Sequence, residues 1–273
     1  MMKKYVLDLT VRAVEHVHER YVLIRLTDSE RLPEMEPGQF VEVRIDGSPT
    51  TFLRRPISIC NVERAENEMW LLVACIGDGT RRMGQLQAGD KLNCLLPLGN
   101  GFSSTTSINP APSTLYPLLV GGGVGVAPLL YQGRRLRESG VEPTFLLGAR
   151  TKNDLLMLDE FRKWGRVLVT TEDGSEGEKG FVTNHSVLQQ ERFSLIQTCG
   201  PTPMMKAVAR YAREKGIDCE ASLENLMACG LGACLCCVER AYPQPLPKGG
   251  ESSAGNVCVC KEGPVFNIAR LLW

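Results

Sequence analysis

No stretch of this 273-residue chain reaches the ~18–20 consecutive apolar residues that a membrane-spanning helix needs. Charge of one sign is missing too: 31 basic side chains balance 31 acidic ones. That argues against nucleic acid as a main partner, because phosphate binding needs a basic face. Histidine is scarce; His16, His18 and His185 are scattered and make no ligand pattern. No Ser/His/Asp nucleophile and no paired acid and base stand out, so hydrolytic or acid–base catalysis is not indicated. The start carries Lys3 and Lys4, but Asp8 breaks the apolar run too early for a secretory leader, and a cytoplasmic chain is expected. There is no internal repeat.

Cysteine, by contrast, is abundant. There are 11, and the last six fall within residues 229–260. An odd count without a secretory leader speaks against a disulfide framework. The other five are expected to be small buried hydrophobes. The cluster reads Cys229-x4-Cys234-x2-Cys237, then 22 residues, then Cys260. This is the plant-type ferredoxin spacing for a 2Fe-2S cluster, whose two irons need four thiolates. Gly230 and Gly232 let the backbone bend and turn N–H groups toward sulfur, which favours reduction. A four-cysteine zinc site would use paired ligands and would leave Cys229 and both glycines unexplained. On spacing alone the fourth ligand is Cys258 or Cys260, and Cys236 points away.

The composition divides the chain in three. Short runs rich in Val, Ile, Leu and Tyr at 5–12, 21–26, 39–45, 69–76 and 91–96 alternate with turn clusters, which predicts a small antiparallel barrel or sandwich over 1–102. Residues 103–114 are rich in Ser, Thr and Pro and read as a linker or surface loop. From 115 strands alternate with helices: strands at 115–120, 143–148, 166–171 and 193–198, helices at 127–139, 153–164, 183–190 and 203–215, with Asn153 as an N-cap and Gly216 as a helix stop. Such alternation builds a parallel sheet covered on both faces, a nucleotide-binding α/β domain over 103–219. The remainder, 220–273, is a small cluster domain with an exposed loop at 243–256.

Two further constellations suit phosphate-bearing cofactors. Arg54-Arg55-Pro56-Ile57-Ser58 ends a strand of the barrel region; an arginine can neutralise a pyrophosphate and a hydroxyl can bond a flavin nitrogen. Gly77-Asp78-Gly79-Thr80 is a glycine-rich turn whose N–H groups suit a phosphate. Gly121-Gly122-Gly123-Val124-Gly125 follows a buried strand and precedes a helix, allowing close approach of a dinucleotide pyrophosphate. It is not G-x-G-x-x-G, so the rule of an acid ~20 residues on does not transfer. Cys199-Gly200-Pro201 also links a strand to a helix, and two such loops can line one crevice. Glu172 and Asp173, if near the adenosine end, would favour NAD over NADP.

In chain order R-P-I-S, G-G-G-x-G-x-A-P, C-G-P-x-P-M-M and C-G-x-G-x-C-x-x-C, closing with C-x-x-G-P-V-F, the sequence resembles the ferredoxin–NADP reductase superfamily with a C-terminal 2Fe-2S domain. It is most similar to the electron-transfer subunits of class 1B dihydroorotate dehydrogenases. Ser222-Leu223-Glu224 leading into Met227-Ala228-Cys229-Gly230, and Cys260 to Phe266, are the most specific parts. The resemblance covers nearly the whole chain. It implies FAD on the barrel, with Arg55, Pro56, Ile57 and Ser58 at the flavin, Gly79 and Thr80 at the phosphates, and Leu72, Val73 and Ala74 giving mostly backbone contacts. It implies NAD at Gly121, Gly122, Gly123, Gly125, Cys199, Gly200 and Pro201. The cluster ligands it implies are Cys229, Cys234, Cys237 and Cys260. It implies a partner, an FMN-containing subunit that oxidises dihydroorotate in pyrimidine biosynthesis, with two copies of each chain. The family usually has a Tyr and a basic residue where this chain has Val73 and Ala74. The alternatives are a reductase subunit linking NAD(P)H to ferredoxin, hydrogenase or sulfur reduction, and a non-catalytic zinc module.

Overall fold

The computed structural model describes residues 3–104, 116–242 and 255–273. The expected linker at 103–114 and the loop at 243–256 lie largely outside the described residues.

The first region closes into a six-stranded antiparallel barrel. Its strands are β1 (Tyr5–His18), β2 (Tyr21–Thr27), β3 (Phe40–Val43), β4 (Arg55–Glu63), β5 (Glu68–Ala74) and β6 (Lys91–Leu98), in the order β1-β2-β5-β4-β3-β6. Strand alternation drives the closure. Leu9, Val11, Ile24, Val41, Val43, Ile59, Leu71 and Leu92 point to one side and form a fully enclosed core. A short helix, α1 (Asp78–Met83), connects β5 to β6. Arg54 to Ser58 do not end a strand, as the sequence suggested. Arg54 precedes β4 and Arg55 to Ser58 open it, Pro56 and Ser58 pairing with Glu42 and Phe40 of β3.

The second region contributes β7 (Tyr116–Gly122), α2 (Ala127–Glu138), β8 (Thr144–Ala149), α3 (Leu158–Arg162), β9 (Arg166–Thr171), β10 (Glu178–Lys179), α4 (Val187–Gln190), β11 (Phe193–Cys199), α5 (Thr202–Lys215) and β12 (Asp218–Ser222). After it come β13 (Val238–Ala241), β14 (Gly255–Cys258), α6 (Val259–Glu262) and β15 (Val265–Asn267). The large sheet runs β10-β9-β8-β7-β11-β12-β15, parallel except for β15, which pairs antiparallel with β12. The expected boundary at 219/220 thus falls inside β12, and the cysteine-bearing region returns a strand to the nucleotide-type sheet.

The strand order reverses between β7 and β11. The chain moves outward from β7 through β8 to β10, then restarts on the other side with β11. In open α/β sheets the crevice at such a switch point is where ligands bind.

The helix expected over 153–164 is shorter. A 3-10 turn covers Lys152–Asp154, Met157 takes a left-handed φ of 56°, and only then does α3 begin. Asp154 accepts from the backbone and hydroxyl of Thr151 at 3.2 and 2.9 Å, closing the first turn on itself rather than starting a long helix at Asn153. The expected helix over 183–190 is likewise split at His185, whose Nδ1 accepts from Val187 N–H at 3.1 Å. By contrast, Gly216 stops α5 as expected, with a φ of 65°.

One apolar core joins all three regions. Phe40 and Leu98 of the barrel, Leu118 and Val120 of β7, and Cys237, Val259, Cys260 and Phe266 share it. Polar clamps lie beside it. Arg134 of α2 reaches Glu63 of β4 at 2.7 Å, and the buried Tyr131 hydroxyl donates to the Met35 carbonyl at 2.9 Å. Tyr131→Phe leaves that carbonyl unpaired in the interior and should cost about 1–2 kcal/mol, read as a lower urea midpoint at unchanged slope.

Candidate functional site

The cysteine loop is shaped around its sulfurs. Gly230 and Gly232 have φ values of 66° and 78°, and Leu235 takes 60°, so the chain folds back within a few residues. That path aims N–H groups at thiols. Leu231 and Ala233 donate to Cys229 Sγ at 3.3 and 3.4 Å. Cys236 N–H donates to Cys234 Sγ at 3.5 Å, Cys260 N–H to Cys237 Sγ at 3.3 Å, and Gly232 N–H to Cys260 Sγ at 3.1 Å. Cys258 differs: its thiol is itself the donor, to the Gly232 carbonyl at 3.9 Å. Four thiols therefore receive N–H groups, and Cys229, Cys234, Cys237 and Cys260 are the four of the ferredoxin-type spacing.

The electrostatics follow from this geometry. Desolvation acts to raise the Cys229 thiol, but the N–H groups of Leu231, Cys234 and Ala233 outweigh it and bring the pKa down to about 6. Burial, with the neighbouring Cys237, pushes Cys260 up to about 12, against the pull of the Gly232 N–H. Metal binding would displace that proton. Among the described residues no three His, Cys, Asp or Glu side chains gather round one point, as a single ion would require. A binuclear cluster asks for something else, two thiolates on each iron, and an all-thiolate donor set with N–H groups on every sulfur suits it. Cys237 and Cys260 are buried, whereas Cys234 and Cys236 are exposed, so the loop has a core side and an open side. On the open side stands Leu235, between Cys234 and Cys236 and 62% exposed.

On the barrel, Arg54 and Arg55 separate in role. Arg54 is spent on structure: it donates to the carbonyls of Glu42 and Asn93, both at 3.1 Å. Arg55 is half-buried and lies over α1, where a Cβ on Gly79 would fall 3.1 Å from its Nε. β4 and the Gly77–Thr80 turn thus meet, as a phosphate site would need. The Thr80 hydroxyl accepts from Gly77 N–H at 3.1 Å, which ties up the turn from within. Ile57 and Ser58 are half-buried beside them. Leu72 and Val73 are buried with their side chains in packing, so only their backbone is available to a ligand; Ala74 is half-buried.

At the switch point Gly121 of β7 lies in register with Cys199 of β11. The two following loops touch. A Cβ on Gly125 would lie 2.7 Å from the Cys199 carbonyl carbon, and one on Gly200 would lie 3.0 Å from the Gly122 carbonyl oxygen. Gly200, with a φ of 151°, sits where side chains are rarely tolerated. Burial, reinforced by the charge of Glu224, holds the Cys199 thiol well above its usual range, so it is not a nucleophile. Pro201 opens α5. Asp173 lies at the end of β9, exposed and engaged with Ser175 at 2.6 Å.

Glu224 and Glu42 had no site role in the sequence reading. Glu224 is exposed, and desolvation by the protein round it raises its pKa. It follows β12, the neighbour of β11, which puts it at the crevice. A carboxylate after a strand is too common a pattern to flag it.

The comparisons agree with this layout. Residues 224–272 match the family described as the iron–sulfur cluster binding domain of dihydroorotate dehydrogenase B, and residues 119–210 match an oxidoreductase NAD-binding domain. The chain is 38% identical over 263 residues to the dihydroorotate dehydrogenase B (NAD(+)) electron transfer subunit of Bacillus velezensis, covering 96% of this chain and 97% of that one. It is 36% identical to the subunit of the same name from Shouchella clausii, covering 100% of both. A solved structure of an NADH-dependent reduced ferredoxin–NADP oxidoreductase superposes with a TM-score of 0.82 at 30% identity, over 98% of this chain and 90% of that one. A ferredoxin reductase of carbazole 1,9a-dioxygenase, at 19% identity and a TM-score of 0.65 over 79% of this chain and 67% of that one, shares the fold. By sequence over its whole length, and by the region that carries its clustered cysteines, this chain belongs to the family of dihydroorotate dehydrogenase B (NAD(+)) electron-transfer subunits.

Proposed function

We propose that this chain passes electrons from a dihydroorotate-oxidising partner subunit to NAD+, as the oxidoreductase subunit of a dihydroorotate dehydrogenase. The observation that carries the reading is the cysteine loop, whose backbone N–H groups fall on the four sulfurs of the ferredoxin-type spacing. Bound groups supply the electron chemistry: a nicotinamide exchanges two electrons as hydride, an iron–sulfur cluster passes one at a time, and a flavin converts between them.

The chain's own residues bind and orient. Cys229, Cys234, Cys237 and Cys260 hold the 2Fe-2S cluster. Arg55 offsets the charge of the FAD pyrophosphate, Gly79 and Thr80 line its phosphates, and Pro56, Ile57 and Ser58 hold the flavin edge, with backbone support from Leu72, Val73 and Ala74. Gly121, Gly122, Gly123 and Gly125 with Cys199, Gly200 and Pro201 admit the NAD pyrophosphate at the switch point. The working units are 1–102 for FAD, 103–219 for NAD and 220–273 for the cluster. The partner is the FMN-containing catalytic subunit, two copies of each chain assembling, and it carries the acid–base chemistry on dihydroorotate. It docks on the open side of the cysteine loop, where Leu235 presents apolar surface next to Cys234. All 11 cysteines are free, which suits a reducing, cytoplasmic compartment.

The test is an anaerobic absorption spectrum of the purified chain before and after NADH, with the catalytic subunit co-expressed in parallel. A flavin band over broad iron–sulfur absorption, both bleached by NADH, is expected, together with co-purification of an FMN protein in equal amount. A colourless chain would overturn the redox reading. A coloured chain that reduces ferredoxin and ignores the FMN subunit would move it to the reductase class.

A further inference from the structure

Glu42 is a buried acid that neither the fold nor the electron path accounts for. It stands on β3 between Pro56 of β4 and Leu95 of β6. Val41 and Val43 face the barrel core, so alternation turns Glu42 outward, on the same side as Phe40. Phe40 packs in the core that holds Cys237, Cys260 and Phe266. The outer face of β3 is therefore covered by the cluster region. Glu42 is 0% exposed, and a Cβ on Gly230 would lie 2.8 Å from its Cγ and 3.4 Å from its Oε1. The side chain lies against the turn that follows Cys229.

Among the described residues neither carboxylate oxygen of Glu42 has a hydrogen-bond partner. Its charged surroundings are Arg54 just before β4, Arg55 on it, and Cys229 from the loop. Arg54 gives its donors to the Glu42 and Asn93 carbonyls and to Asn93 Oδ1 instead. Arg55 gives Nη1 to the carbonyls of Leu53 and Arg54. A carboxyl enclosed without a partner is a liability to folding, so packing alone does not call for an acid here.

We propose that Glu42 is a positioning residue for electron transfer, one whose buried carboxylate sets the reduction potential of the iron–sulfur site from the side of the flavin strand. This rests on the cofactor placement proposed above. Reduction adds one electron, and thus one negative charge, to a cluster that is already anionic. Ionised at pH 8.5, a carboxyl close to that charge and shielded from water opposes it strongly and holds the potential down. Its place between β4 and the Gly230 turn puts this effect on the flavin side of the cluster.

The test is a redox titration of the full chain at pH 8.5, comparing wild type with Glu42→Gln and Glu42→Leu. The reduced cluster is followed by its paramagnetic signal and by visible absorbance, with iron, sulfide and flavin contents and the thermal midpoint measured alongside. Both variants should keep their cofactors and melt at the wild-type temperature or above. Both should be reduced at least tenfold more readily, a rise of about 59 mV for a one-electron couple. An unchanged midpoint in both variants overturns the proposal. So does loss of the cluster in both, which would make Glu42 a prop of the loop. Wild-type protein without iron and sulfide would instead overturn the cofactor placement itself, and the proposal with it.

Discussion

Cys260→Ser is expected to strip the 2Fe-2S absorption from the chain, whereas Cys258→Ser leaves it in place. The two cysteines are two residues apart, and spacing does not choose between them. Their environments do. Cys260 is buried, its sulfur accepts the Gly232 N–H at 3.1 Å, and its own N–H reaches Cys237 Sγ at 3.3 Å. It is thus joined by hydrogen bonds to the turn after Cys229 and to another proposed ligand. Cys258 ends β14, and its thiol points its proton at a carbonyl. Losing a hydrogen-bond partner of a metal ligand already costs ~10–100-fold in affinity, so losing a ligand should cost at least as much. Iron and sulfide analysis of the two variants, with flavin content as the internal control, is the measurement. A full cluster in Cys260→Ser would hand the fourth position to Cys258.

Gly125→Ala should weaken NADH binding at least tenfold while leaving FAD and the cluster in place. The backbone of Gly125 is not left-handed, so the effect is one of space. The added methyl would press on the Cys199 carbonyl carbon at 2.7 Å and, closer still, on the Gly200 backbone. Neither obstacle is the end of a flexible side chain, so the two loops must part. Overpacking of this kind typically costs about 1–3 kcal/mol, and the loss falls on the crevice at the β7–β11 switch point. The comparison is Gly255→Ala, where a Cβ meets nothing within 4 Å among the described residues. Anaerobic titration of flavin bleaching with NADH gives the affinity. A destabilised Gly125→Ala protein that still binds NADH like wild type would place the nicotinamide nucleotide elsewhere.

Much of the architecture was legible because local chemistry and tertiary need coincide. The apolar run at 69–76 reads as a strand and forms β5, which is buried on both faces. Gly216 reads as a helix stop and takes the left-handed conformation that only glycine adopts cheaply. Where the two diverge, the reading failed. Asn153 is a good cap by type, but Asp154 folds back on Thr151 and ends the turn at once. Arg54 to Ser58 look like a strand terminus because Arg-Pro is a turn signal; β3 nevertheless recruits Arg55 to Ser58 into the barrel as the start of β4.

By itself, the sequence determined that a ferredoxin-type cysteine spacing is present with its fourth position open between Cys258 and Cys260, where the glycine loops stand, and that short strands are followed by strand–helix alternation. These are properties of spacing and of single-residue chemistry, which survive without knowledge of the fold. Only the tertiary structure decided that β15 returns from the cysteine region to the central sheet, and that Cys260 rather than Cys258 takes the Gly232 N–H. Only it placed Glu42 against the Gly230 turn. Those three facts join residues dozens to nearly two hundred positions apart, and the burial that joins them is a collective property of the packed chain, with no signature in any local window.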